Sequence, residues 1–181
     1  GWLPDGATVF MKMELFQQAG SFKARGATLA VDALTDDERR RGVTAVSAGN
    51  HALAVSWAAA QAGISAKVVM PETADKIRVD GCNALGAEGV LGANGEEAFR
   101  EVARLRDEEG RAYLHSFDSP FMTLGAATIG DELSTAAGHL DAAIIPVGGG
   151  GLISGMAAAI KALNPDCEIF GVEPEGADSM Y

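Results

Sequence analysis

The sequence predicts an α/β protein with open, mostly parallel sheets flanked by helices, on three grounds. Short apolar or β-branched runs recur at "VTAVS" (43–47), "AKVVM" (66–70), "AEGVL" (87–91), "AYLH" (112–115), "DAAIIPV" (141–147) and "EIFGV" (168–172). Helical patterns lie between them, at the spacing of parallel crossovers. The runs are apolar stretches rather than strict alternators, as expected of strands covered on both faces.

Taken in order, "VTAVS" leads through Ser47-Ala48-Gly49-Asn50-His51 into "ALAVSWAAAQA" (52–62), whose alanines favour helix. After the next two runs, "GEEAFREVARLRDEEG" (95–110) shows an apolar stripe at Phe99, Val102, Ala103 and Leu105 with charges opposite, which predicts an amphipathic helix. "DAAIIPV" runs into four glycines and then "LISGMAAAIKAL" (152–163), apolar on most faces. No internal repeat interrupts this order.

Composition narrows the function classes. With 181 residues and 48% hydrophobic content, the chain can bury the core of one domain or two small ones. A formal net charge of −11 argues against a nucleic-acid surface, which needs clustered Lys and Arg. Cys82 and Cys167 share no metal-ligand spacing, so a reduced, cytoplasmic protein is expected. No run is long enough to span a bilayer, and no signal segment opens the chain. The start at Gly1-Trp2 and the close at "DSMY" read as cut ends, so a fragment is expected.

In parallel sheets, ligands sit in the loops beyond the carboxyl ends of the strands. Two such loops stand out. Ser47, Ala48, Gly49, Asn50 and His51 offer side-chain donors and free N–H groups at a helix start, which suits a carboxylate or phosphate. A plain capped turn fits the same residues. Gly148, Gly149, Gly150 and Gly151, followed by Leu152, suggest a nest of N–H groups around phosphate oxygens, with a ligand-free tight turn as the alternative. Neither loop carries the dinucleotide fingerprint or the Gly-Lys-Ser/Thr phosphate loop.

"GSFKARGA", "SAGNH", "PVGGGGLISG" and "GVEPEGA", in this order, resemble the fold-type II pyridoxal-phosphate enzymes, closest to the serine/threonine dehydratases (threonine ammonia-lyases). The resemblance runs over nearly the whole chain. It implies a tryptophan synthase β-like architecture with two sheets, in which 1–42 and 121–181 are parts of a larger cofactor-binding domain and 43–120 is a smaller α/β domain. It implies pyridoxal 5'-phosphate as cofactor, held as an imine (Schiff base) by Lys23, with Phe22 against its ring. Asn50 would meet the ring hydroxyl, and Gly148, Gly149, Gly150, Gly151 and Leu152 the phosphate. Ser47, Ala48, Gly49, Asn50 and His51 would bind the substrate carboxylate.

The implied reaction is elimination from L-threonine or L-serine to a 2-oxo acid and ammonia, with Lys23 as the base. A serine racemase, a β-replacement enzyme or a threonine synthase on the same scaffold is the alternative within the class. An inactive small-anion-binding module is the alternative outside it. Relatives are usually dimers or tetramers, so a homo-oligomer is expected. Some relatives hold a divalent cation near the position of Glu173, with an acidic residue where this chain has Ser179, so no metal is expected. The partner of the pyridine nitrogen is not found among these residues.

Overall fold

The computed structural model describes residues 5–180; the fragment reading of the ends rests partly on Gly1-Trp2 and Tyr181, which lie outside the described residues. Two short 3-10 turns, Glu14–Phe16 and Gln18–Gly20, precede α1 (Lys23–Asp32), α2 (Asp36–Arg41) and β1 (Val43–Val46). Then follow α3 (Asn50–Ala62), β2 (Ala66–Pro71), α4 (Lys76–Ala84), β3 (Glu88–Gly92), α5 (Gly95–Glu108) and β4 (Ala112–Tyr113). The chain continues with α6 (Pro120–Ala137), β5 (Ala142–Pro146), α7 (Gly151–Leu163) and β6 (Glu168–Val172). All six expected runs form strands, though "AYLH" pairs only over two residues before it turns away.

The strands make two parallel sheets, one in the order β3-β2-β1-β4 and one of β5 and β6. In the first, β2 sends Val68 and Met70 to a core shared with α3, and Val69 to the opposite face against α5. This is the doubly covered strand that the apolar runs predict. The second sheet is covered on one face, where Ala143 and Ile145 pack with Ile129, Met156 and Ile160 of α6 and α7. Its other face shows Ile144, 73% exposed.

Helix α5 corrects one detail. Ala98, Val102 and Leu105 are its buried residues, and Phe99 is exposed. A Cβ on Gly92 of β3 would lie 3.0 Å from the Ala98 nitrogen, so the helix approaches too closely for a larger residue to turn inward there. The small side chain takes the core position.

Close packing of α1, α6 and α7 sets the frame of the site. A Cβ on Gly125 of α6 would come within 2.4 Å of the Gly26 nitrogen in α1, and one on Gly155 of α7 within 2.1 Å of the Thr123 carbonyl in α6. Arg25 reinforces the first contact by donating to Glu132 and Thr128 of α6 and to Glu14. The N-termini of α1 and α7 are therefore both referenced to α6. Side chains of α1 also enter the core of the four-stranded sheet through Ala27, Ala30 and Val31.

Candidate active site

The strand order of the larger sheet reverses between β1 and β4, because β2 and β3 lie to one side of β1 and β4 to the other. Loops leaving the carboxyl ends of two such strands diverge and leave a crevice. The loop after β1 is Ser47–Gly49. It extends the ladder through Ser47 N–H to the Val69 carbonyl at 3.0 Å, then folds back as Gly49 N–H donates to Ser47 Oγ at 3.1 Å. Helix α3 starts at once with Asn50, so its first N–H groups have no partner within the helix and point out of its N-terminus.

His51 ties this loop across the crevice. Its Nε2 is 2.9 Å from the Leu114 carbonyl after β4. A carbonyl only accepts, so Nε2 carries the proton and Nδ1 is left as a bare acceptor. That Nδ1 is buried with no partner, in a side chain only 3% exposed. Burial pushes the His51 pKa down to about 4 against the raising effect of the Leu114 hydrogen bond, and the charges of Lys23 and His115 add to the lowering.

Lys23 is the first residue of α1, and its amine donates to the Ser116 carbonyl in the loop after β4. Burial lowers its pKa below the ordinary lysine value. The amine also lies 5.0 Å from the centroid of the Phe22 ring. Phe22 in turn packs on the same core as Leu152 of α7.

The loop after β4 joins the lysine to the glycine loop. His115 Nδ1 accepts the N–H groups of Phe117 and Asp118 at 3.3 and 2.9 Å, and its ring meets that of Phe117 edge-on at 4.7 Å. The Phe117 ring then lies against the glycines: a Cβ on Gly149 would be 2.4 Å from it, and one on Gly151 would be 2.8 Å from the Phe117 carbonyl. Glycine is required there by close approach, not only by turn geometry. Gly150, at φ 81°, caps α7.

Between the N-termini of α6 and α7 is a cavity of about 330 Å³, lined in part by Ser119, Thr123, Gly149, Gly150, Gly151 and Ser154. Two positive helix ends and unpartnered N–H groups around a loop without side chains fit a phosphate monoester. A half-buried amine with a lowered pKa fits condensation with an aldehyde. Together they match the donor set that pyridoxal phosphate needs.

The expected residues are not equally engaged. Lys23, His51, Gly149 and Gly151 each meet the loop after β4, whereas Ala48 and Asn50 are exposed and the Asn50 side chain makes no hydrogen bond among the described residues. Ser116 and Phe117 were not anticipated. Their signal was "HSFDSP", a loop at the end of a strand run followed by a Ser-Pro helix start. No group of three His, Cys, Asp or Glu side chains that could hold a metal converges among the described residues.

A family model described as "Pyridoxal-phosphate dependent enzyme" matches residues 4–181. The chain is 53% identical over 176 residues to a phenylserine dehydratase of Ralstonia pickettii, covering 97% of this chain and 54% of that protein. Its structure superposes on the processed form of threonine deaminase isoform 2 from Solanum lycopersicum with a TM-score of 0.89 at 42% identity, covering 93% of this chain and 50% of that one. Maize serine racemase gives 0.88 at 39%, covering 91% and 50%. The chain thus spans about half the length of these relatives. With lysine, glycine cradle and switch-point crevice in one frame, and that match along its length, the chain belongs to the pyridoxal-phosphate dependent enzyme family.

Proposed function

We propose that the complete protein carries out pyridoxal-phosphate-dependent α,β-elimination from an L-β-hydroxy amino acid, L-threonine or L-serine, giving a 2-oxo acid and ammonia. The observation that carries this reading is the half-buried Lys23 amine at the switch-point crevice, one loop away from a glycine-lined cavity. When bound, the cofactor supplies an electron sink for charge developing at the substrate α-carbon.

This chain's residues do the rest. Lys23 would hold the cofactor through its aldehyde carbon; once displaced by the substrate amine, its own amine, whose pKa burial lowers, would accept the α-proton. The N–H groups of Ser47–His51 at the start of α3 orient the substrate carboxylate, and Asn50 meets the ring hydroxyl. Phe22 supports a ring face, and Gly148–Leu152 receive the phosphate. The Ralstonia relative is named for phenylserine, which extends the proposed substrate class to aryl side chains.

The domain division at 42/43 and 120/121, a homo-oligomeric assembly and a cytoplasmic location complete the proposal; no helix among the described residues is long and apolar enough to cross a membrane. Borohydride treatment of the complete protein should fix the cofactor to Lys23, as read by peptide mass spectrometry. Attachment at Lys12, Lys67, Lys76 or Lys161 would overturn the assignment. Lys23→Ala should lower 2-oxo acid release from threonine, serine and phenylserine by at least about 10³-fold. Racemisation is the second reading, favoured by the maize serine racemase likeness.

A further inference from the structure

The turn after β6 closes on the glycine loop. Glu173 Oε1 accepts the Met180 N–H at 3.0 Å and lies 3.3 Å from the Ser179 hydroxyl, while Ala177 N–H closes a turn onto the Pro174 carbonyl at 3.1 Å. The folded turn delivers Ser179 to the loop. Its Oγ is 2.9 Å from the Gly148 carbonyl. A hydroxyl has one proton for these two acceptors, and the shorter contact takes the larger share. Met180 then lies over the next turn of the loop, its sulfur 2.9 Å from where a Cβ on Gly150 would be.

We infer that Ser179 is a positioning residue for the phosphate cradle, with Glu173 holding it in place. The reason is the geometry of one peptide unit. In a planar trans peptide, the carbonyl of Gly148 and the N–H of Gly149 point in opposite directions. Binding that carbonyl to Ser179 turns the Gly149 N–H away from the 173–180 turn and leaves it free to serve an anion. Between two glycines, nothing in the local backbone opposes rotation of this unit, since neither neighbour has a Cβ. Upstream, the strand fixes the loop only as far as Val147, whose N–H donates to the Val172 carbonyl at 2.8 Å. The first glycine peptide is therefore oriented from outside the loop, by one hydroxyl.

This inference rests on the reading of the glycine loop as the seat of the cofactor phosphate. Equilibrium binding of pyridoxal phosphate and of pyridoxal, which lacks the phosphate, is measured on the complete protein and its variants by fluorescence. Ser179→Ala should weaken pyridoxal phosphate binding about tenfold and leave pyridoxal unchanged, and Ser179→Thr, which keeps the hydroxyl, should restore affinity to within about threefold. Unchanged pyridoxal phosphate affinity in Ser179→Ala would overturn the inference, as would an equal loss for both ligands. Failure of the unsubstituted protein to prefer pyridoxal phosphate over pyridoxal would instead overturn the cradle itself.

Discussion

The loops after β1 and after β5 start alike: each leaves a parallel strand and opens a 13-residue helix capped by glycine. Their internal support differs. The first keeps its shape with its own side chains, through Ser47 Oγ and the His51 link to Leu114. The second has no side chain from 148 to 151 and takes its shape from Phe117 on one side and Ser179 on the other. A loop that orients a ligand by side chains and N–H groups can brace itself. One that, as proposed, would let phosphate oxygens reach the backbone cannot, because any brace would occupy that space. It borrows rigidity from its neighbours.

The sharpest way to break this comparison is to put a side chain into the unbraced loop. Gly149→Asp places a Cβ 2.4 Å from the Phe117 ring and adds a negative charge where the proposed phosphate would dock. Cofactor titration of the complete protein should show binding weakened about 10³-fold, equivalent to about 4 kcal/mol. Equal affinities for variant and unsubstituted protein would reduce the loop to a ligand-free turn.

A second test removes the brace of the other loop. His51 titrates near 6.5 in the unfolded chain and at about 4 when folded, so the unfolded state binds more protons on acidification. Its contribution is complete above pH 6.5 and is lost as the pH falls towards 4. Urea denaturation should show the unsubstituted protein losing about 3 kcal/mol more stability than His51→Gln between pH 7 and pH 4. Parallel pH profiles would mean that His51 is not held neutral.

The smallest effect concerns Ala48, exposed within the self-braced loop. The family resemblance implies a serine at the matched position in racemases, and an alanine methyl can neither give nor take a proton. Ala48→Ser should raise conversion of L-serine to D-serine about tenfold, at the low end for an added acid–base group. Chiral chromatography reads the result. Rapid D-serine formation by the unsubstituted protein would shift the assignment to the racemase reading.

Much of this was legible in the sequence. Six apolar runs became six strands: β2 is buried on both faces and leaves no polar alternation to blur its limits, while β5, covered on one face, still carries apolar Ile144 on the other. Lys23 and the four glycines were legible as candidates, since a rare local pattern survives without knowledge of its surroundings. Helix α6 was not, although it carries the packing of both α1 and α7. Its glycines at 125 and 130 weaken its local helical signal, and their purpose is apparent only against the neighbouring helices.

The sequence by itself determined the parallel α/β class, the two βα loops and the lysine proposed to react, because each is encoded in residues adjacent in the chain. Only the tertiary structure decided what joins them. Leu114 meets His51 across 63 positions, Ser116 meets Lys23 across 93, and Ser179 meets Gly148 across 31. Two of these contacts end on backbone carbonyls after β4 and the third on the carbonyl of Gly148. Every residue possesses such an acceptor, so no residue type marks it in a sequence, and only the fold selects the carbonyl that receives the proton.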